Sequence, residues 1–202
     1  SFVLIMLLLL SISLGSVAIP IDEIIAVLLG DNSSKSSWNT IILHFRLPKA
    51  ITAMLVGSGL SIAGLLMQTL FKNPLAGPFV LGISSGASLG VAILILGAGI
   101  FGGVLTAISF SSWGLAIASS LGAAIVLLAV LITAHKVRNT MSILIIGLMF
   151  GTVTSAIISV FTFFSDAEKI QQFVFWGFGS LGNLAWNEVL IFFIIYLIAV
   201  LN

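Results

Sequence analysis

The spacing of charged residues restricts the fold of this chain more than any other feature. Residues 1 to 21, 50 to 71, 73 to 134 and 141 to 163 contain no charged side chain. A helix needs about 20 apolar residues to cross a membrane, and a central Arg, Lys or Asp costs about 2.5 to 3.5 kcal/mol. Long uncharged runs separated by short charged segments therefore indicate several membrane-spanning helices, with the charged segments as loops.

The composition excludes several classes of protein. Hydrophobic residues make up 60% of the chain and charged residues 6%, whereas soluble domains are about 45 to 50% apolar and about 25% charged. A net charge of +1 is too small to attract nucleic acid electrostatically. The absence of cysteine excludes disulfides and metal sites with thiolate ligands. We predict an all-α, polytopic transmembrane helix bundle.

The predicted domain organisation is one transmembrane domain over residues 1–202 with about six spans. Three spans between 73 and 134 would need about 60 residues without any turn, and Gly, Pro and Ser signals at 73–78, 99–103 and 109–112 favour two. The predicted spans are about 2–19, 50–71, 79–98, 114–134, 141–163 and 189–202. The first residue is not Met and the last span is short, so we expect a fragment of a longer protein.

The distribution of basic residues predicts the orientation. Lys72, Lys136 and Arg138 lie in two short loops, whereas the other basic residues are diluted over long loops. All acidic residues and all tryptophans also lie on the long-loop face. Dense basic loops face the cytoplasm, so we predict that the short loops and the N-terminus are cytoplasmic.

Two short amphipathic segments on the long-loop face predict helices in the membrane interface. In the first, apolar residues recur at helical spacing from Ile21 to Leu29, with acids in the first turn and Gly30 at the end. In the second, Ser165 and Glu168 match a capping box, and Phe173, Val174 and Trp176 can sit at the headgroups.

Small residues at four-residue spacing predict close helix packing in four successive spans, because membrane helices associate through such stripes. The stripes are Gly57 with Ser61 and Gly59 with Ala63, then Gly82, Gly86 and Gly90, then Gly114, Ala118 and Gly122, and finally Gly147, Gly151 and Ser155.

The sequence offers little for catalysis. Gly82-Ile83-Ser84-Ser85-Gly86 matches a hydrolase elbow, but that elbow needs a strand-to-helix turn, a base and a carboxylate. All acids are predicted on the opposite face, and His44 and His135 are predicted on different faces, which precludes a shared metal site. We expect no catalytic residue, no metal and no cofactor.

The end of the second span is unusual. Gln68 is an amide within a span, and it is either a link between helices or part of a polar path. Pro74 and Pro78 prevent a regular helix in the turn that follows, so its carbonyls must find other donors or line a cavity. A gate could lie at such an irregular span end.

The segment from 46 to 91, RLPKAITAMLVGSGLSIAGLLMQTLFKNPLAGPFVLGISSGASLGV, resembles the permease subunits of type II ABC importers. The shared pattern is a basic-Leu-Pro-basic start, a Gly-rich span ending in Gln, then N-P-L-A, a Pro and L-G-x-S-x-G-A. The likeness continues more weakly through 135 to 151 and FWGFGSLGNLAW at 175 to 186.

This resemblance implies a function and partners. The family takes up ferric siderophores, haem and cobalamin across the bacterial cytoplasmic (inner) membrane. Its ten-span permeases work as dimers with two cytoplasmic ATPase subunits, which hydrolyse the ATP, and an external substrate-binding protein. The permease itself is a transport subunit rather than an enzyme, and no nucleic acid is involved.

The resemblance also implies roles for residues of this chain. Arg46 and Lys49 match basic positions that dock the binding protein, although they could instead anchor the span in the interface. Asn73, Pro74, Leu75 and Thr140 match turns of the inner gate, while Gly147, Gly151 and Ser155 would line the translocation path, which Gln68 could join. The alternative function is a helix-packing membrane scaffold or receptor of the same fold that does not transport.

Overall fold

A computed structural model of the chain describes residues 2–31, 33, 35–97, 111–137, 139–182 and 184–201. These residues form helices joined by turns, and no strand occurs among them. By their contacts they divide into two compact units, Ser1–Ser61 with Ser180–Asn202 and Ile62–Gly179. The predicted all-α fold is confirmed.

A helix occupies each predicted span. In chain order the helices among the described residues are α1 (Phe2–Ser13), α2 (Ile21–Leu28), α3 (Ser36–Thr40), a π-helix (Ile41–Arg46), α4 (Leu47–Phe71), a 3-10 helix (Pro78–Leu81), α5 (Ile83–Ile95), α6 (Ser112–Ala134), α7 (Thr140–Phe163), α8 (Ala167–Gly177) and α9 (Trp186–Leu201). Among the described residues, three helical stretches are long and apolar enough to cross a membrane: Ser36–Phe71, Ser112–Ala134 and Met141–Phe163. The apolar helices α1, α5 and α9 are shorter. The predicted turns at 99–103 and 109–110, together with Arg138, lie outside the described residues.

In the first unit, α1 ends at Ser13, earlier than the predicted end of the first span near residue 19. The Ser13 hydroxyl donates to the Ile19 carbonyl at 2.7 Å, and the Ile19 amide donates back to the Ser13 carbonyl at 3.1 Å. These two bonds close the chain into a bend that leads to α2. An apolar cluster of this unit buries Ile12, Ile19, Ile24 and Ile42 completely or almost so.

The helix of the second span begins at Ser36, well before the predicted start near residue 50. The polar loop expected up to Lys49 is therefore partly helical. Its π-helical turn ends just before Leu47 and Pro48, where the Leu47 amide donates to the Ile42 carbonyl five residues back. A proline has no N–H for the helix, so a regular α-helical pattern cannot continue unchanged through this point.

Two apolar clusters fix the ends of the helices in the second unit. The first buries Phe71, Ala76, Leu81, Val126 and Val130, and against it pack four residues of α7, namely Ile143, Leu144, Ile146 and Phe150. The second buries residues 91–92 and 95–96, with parts of α6, α7 and α8 against it. The turn after α4 therefore lies at the same end as the start of α7, as the predicted alternation of loops requires.

The helices α5 and α6 approach closely along the predicted small residues. A Cβ added to Gly90 would overlap the Ala118 carbonyl oxygen, and one added to Gly86 would lie 2.6 Å from the Gly122 carbonyl oxygen. Only glycine permits this separation of the two backbones, so the predicted stripes are confirmed at Gly86 and Gly90 of the third span and at Ala118 and Gly122 of the fourth. On α4 the expectation is not met at Gly57, where no described atom lies within 4 Å of an added Cβ, whereas a Cβ added to Gly59 would make an ordinary contact with the Tyr196 ring of α9 at 3.6 Å.

The two short amphipathic helices are present as α2 and α8. The capping box predicted for α8 is wrong. Asp166 occupies the N-cap without a side-chain bond, while the Ser165 hydroxyl donates to the Phe161 carbonyl at 2.7 Å. Ser165 has this acceptor because α7 ends immediately before it, and the hydroxyl can reach back one turn. On α8, Phe173 and Trp176 pack against the second cluster, and Val174 is exposed.

Candidate functional site

The turn after α4 is held by backbone bonds and by the side chain of Asn73. The Asn73 amide donates to the Gln68 carbonyl at 3.1 Å, and the Lys72 amide donates to the Thr69 carbonyl at 3.3 Å. This is the Schellman pattern that ends a helix, with Lys72 in the left-handed conformation at φ 48°. The side chain of Gln68, in the last turn of α4, is exposed.

Asn73 then organises the residues that follow it. Its side-chain oxygen accepts from the Leu75 amide at 3.0 Å, and its carbonyl accepts from the Ala76 amide at 3.1 Å. Pro74 suits the second position of such a turn because its φ is already fixed. Ala76 is buried, whereas Leu75 is 90% exposed and projects from the turn.

A second asparagine plays a similar part at the start of α7. Asn139 is the N-cap, and its side-chain oxygen accepts from the Met141 amide at 3.0 Å. Thr140 is thus the first residue of α7. The two turns that the resemblance assigns to an inner gate lie at one end of the second unit, each closed by an asparagine side chain.

Gly82 connects the 3-10 helix to α5 and requires glycine. Its φ is 72°, in the left-handed region, and an added Cβ would lie 3.1 Å from the Gly147 carbonyl oxygen. On the other side, a Cβ on Gly147 would overlap the Val80 carbonyl oxygen. The 3-10 helix and the beginning of α5 therefore lie directly on the backbone of α7.

A groove of about 350 Å³ lies along this contact. Helix α7 contributes Gly147, Leu148, Gly151, Thr152 and Ser155, and the opposite wall consists of Phe79, Gly82 and Ser85. The three predicted path residues of α7 are therefore brought together in one groove. Gln68, Asn73, Pro74, Leu75 and Thr140 do not line it.

The groove is uncharged, and its hydroxyl groups on α7 donate to their own helix. The Thr152 hydroxyl donates to the Met149 carbonyl at 2.8 Å, and the Ser155 hydroxyl donates to the Gly151 carbonyl at 2.9 Å. With their hydrogens engaged, these groups present acceptor oxygens rather than donors to the groove. An uncharged wall of this kind offers no charge-assisted hydrogen bond to a solute.

Sequence reasoning missed Phe79, Ser85, Leu148 and Thr152. Ser85 lies three residues after Gly82, and Thr152 lies three residues before Ser155, so helical spacing from the predicted small residues could have found both. Phe79 lies in the 3-10 helix after two prolines, and no periodic signal marks it.

The two predicted docking residues have different environments in the first unit. The Arg46 guanidinium donates to the carbonyls of Ile12 at 2.5 Å and Ser13 at 2.9 Å, and also to the Val17 carbonyl. A cation at the end of α1 suits the partial negative charge of a helix C-terminus. Lys49, in contrast, is exposed.

Comparison with known proteins places this fold in a family. The model of the FecCD transport family matches residues 3–202. The chain belongs to the FecCD transport family. Together with its apolar helices, this membership shows a multi-pass membrane protein.

Several curated relatives in this family are permeases. The "Probable iron chelatin transport system permease protein" of Helicobacter pylori strain 26695 is 40% identical over 164 residues, which cover 81% of this chain and 46% of the relative. The vitamin B12 import system permease protein BtuC of Escherichia coli strain K12 / DH10B is 32% identical over 161 residues, covering 77% and 47%. The FecCD chain thus spans about half the length of these relatives.

A solved structure shares the fold. The structure described as "An inward-facing conformation of a putative metal-chelate type ABC transporter" superposes with a TM-score of 0.78 at 26% sequence identity. The match covers 98% of this chain and 57% of that one. The resemblance read from residues 46 to 91 is confirmed.

Proposed function

We propose that this protein is the membrane-spanning permease subunit of an ATP-driven importer of ferric siderophore or a related metal chelate, such as haem or cobalamin. The names of its relatives refer to an iron chelatin, to vitamin B12 and to a metal chelate. These cargoes are bulky metal chelates, and this common chemistry is the substrate class that we assign.

The uncharged groove between α5 and α7 is the observation that carries the proposal. A solute that must move through a path has to bind weakly at each point, because strong binding would stop it. Glycine backbone and hydroxyls already engaged with helix carbonyls provide such a wall. We assign Gly147, Gly151 and Ser155 to the translocation path.

The asparagine-closed turns are proposed as the inner gate. Asn73, Pro74 and Leu75 form one side and Thr140 the other, at the end of the second unit where α4 ends and α7 begins. The exposed Leu75 side chain would close the path against its counterpart in a paired permease. Gln68, one turn before, would lie at the entrance to this gate.

The proposal includes partners and a location. Two copies would form the path in the bacterial cytoplasmic membrane, with the N-terminus in the cytoplasm, two ATPase subunits inside and a substrate-binding protein outside. ATP hydrolysis would occur on the separate ATPase subunits. The exposed Lys49 is the better placed of the two basic residues for docking, since charged groups at such a contact steer association.

Reconstitution tests this function. The full-length protein is placed in liposomes with its ATPase subunits and binding protein, and accumulation of labelled ferric chelate and of cobalamin is measured. We expect uptake of one of these classes that requires both ATP and the binding protein. An assembled complex that hydrolyses ATP but accumulates no chelate would support the non-transporting scaffold or receptor instead.

A further inference from the structure

A carbonyl in the π-helix lacks its ordinary helical donor. In an α-helix the Leu43 carbonyl would accept from the Leu47 amide, but that amide donates to the Ile42 carbonyl instead. In the π-helical register the donor would come from residue 48, which is a proline without an N–H. The Leu43 carbonyl therefore has no hydrogen-bond donor from its own helix in either the α-helical or the π-helical register.

Trp186 supplies this donor from a distant part of the chain. Its indole Nε1–H donates to the Leu43 carbonyl at 2.8 Å, and Trp186 is the first residue of α9. A helix carbonyl without an intramolecular donor loses the net stabilisation that such a hydrogen bond provides. The bond thus satisfies the π-helix and ties the start of α9 to it.

The register that this bond maintains has two further consequences in the first unit. Ile42 is fully buried in the cluster that contains Ile12 and Ile24. Four residues later, Arg46 reaches the carbonyls at the end of α1, and a Cβ added to Gly15 would lie only 2.7 Å from the guanidinium. A shift of one residue in helical register rotates the side chains by about 100°. A change from π to α would therefore break either the burial of Ile42 or the contact of Arg46 with the end of α1.

We propose that Trp186 is a positioning residue, which replaces the donor that Pro48 cannot supply and so fixes the π-helical register before α4. In this register Arg46 holds the bend after α1, and Lys49 remains exposed on the same segment. Trp186 thereby orients the basic segment that we assign to docking. The docking part of this inference rests on the proposed function, whereas the hydrogen-bonding part does not.

A double-mutant cycle in the full-length protein tests the hydrogen-bonding part. Trp186→Phe removes the N–H and keeps an aromatic ring, while Pro48→Ala returns a backbone N–H that can donate to Leu43. We expect Trp186→Phe to lower the thermal unfolding midpoint in detergent by about 2 to 4 °C. In the Pro48→Ala background the same substitution should lower it by less than half as much, because Leu43 then has a donor.

The controls and outcomes separate the two parts. Trp113→Phe, at a tryptophan of similar exposure (46% against 40%), should show the same midpoint shift in both backgrounds. If Trp186→Phe lowers the thermal unfolding midpoint equally in both backgrounds, the inference is overturned. Affinity for the binding protein should fall about fivefold in Trp186→Phe and recover in the double variant; unchanged affinity would remove the positioning role. If the unmodified permease fails to bind its binding protein, the proposed docking fails while the cycle still decides the role of the bond.

Discussion

Gly90→Val is expected to prevent α5 and α6 from packing and to remove folded permease from the membrane. A Cβ at this position overlaps the Ala118 carbonyl oxygen and lies 3.2 Å from the Gly122 Cα, so backbone rather than a mobile side chain blocks it. Overpacking of an ordinary core costs about 1 to 3 kcal/mol, and two helix backbones that must separate should cost more. The yield of monodisperse full-length protein in detergent measures the effect.

Gly177 provides the matched control for Gly90. It also lies in a helix, and no described atom is within 4 Å of an added Cβ. Gly177→Val should therefore leave the yield close to that of the unmodified protein. The yield of Gly90→Ala should lie between the yields of Gly90→Val and Gly177→Val. Normal yield and thermal stability of Gly90→Val would show that α5 and α6 do not pack as described.

Ser155→Trp is expected to abolish chelate uptake without preventing assembly. Ser155 lines the groove on α7, and its side chain is exposed, so an indole can be accommodated by filling the groove rather than by disrupting a core. The indole would then block the passage of the chelate at the position where the serine hydroxyl leaves it open. Uptake into liposomes should fall to the level seen without ATP, while ATP hydrolysis and complex formation remain.

Ser120→Trp is the control for added bulk. Ser120 is exposed on α6. It is two residues from both Ala118 and Gly122, which contact α5, so it lies on the opposite side of the helix. This variant should transport at a rate close to that of the unmodified protein. Full uptake by Ser155→Trp would exclude the groove from the path.

The positions of the helices could be predicted because membrane insertion depends on local composition. Charged residues delimit the uncharged runs, and Gly, Pro and Ser signals divide the run from 73 to 134 into two spans. Small residues at four-residue spacing identified the contact of Gly90 with Ala118 and Gly122. The same pattern failed at Gly57, where the described chain brings no neighbour within 4 Å. The spacing of small residues shows where another helix can approach closely, but it does not show whether a helix packs there or which one.

The contacts between distant segments could not be predicted in this way. Arg46 resembles a docking residue by its place in the motif, and its guanidinium donates to carbonyls at the end of α1, 33 and 34 residues earlier in the chain. Trp186 is predicted on the long-loop face, but nothing in the sequence marks its indole as the donor to the Leu43 carbonyl. Both bonds depend on backbone groups exposed by a bend or a π-helical turn, and residue type alone does not reveal such groups.

The sidedness of access to Ser155 tests most directly the central proposal, that the groove lines the translocation path, which in an ATP-driven importer should open to one side of the membrane at a time. In a full-length protein without other cysteines, Ser155→Cys is exposed to a polar thiol reagent from either side of the liposome. The complex is trapped without nucleotide or with a non-hydrolysable ATP analogue. Leu75→Cys, in the proposed inner gate and 90% exposed, serves as the cytoplasmic reference, and Ile125→Cys, 64% exposed on α6, serves as the lipid-facing one. We predict that Ser155→Cys reacts from opposite sides in the two nucleotide states. Reaction from neither side in either state, as expected for Ile125→Cys, would contradict the account.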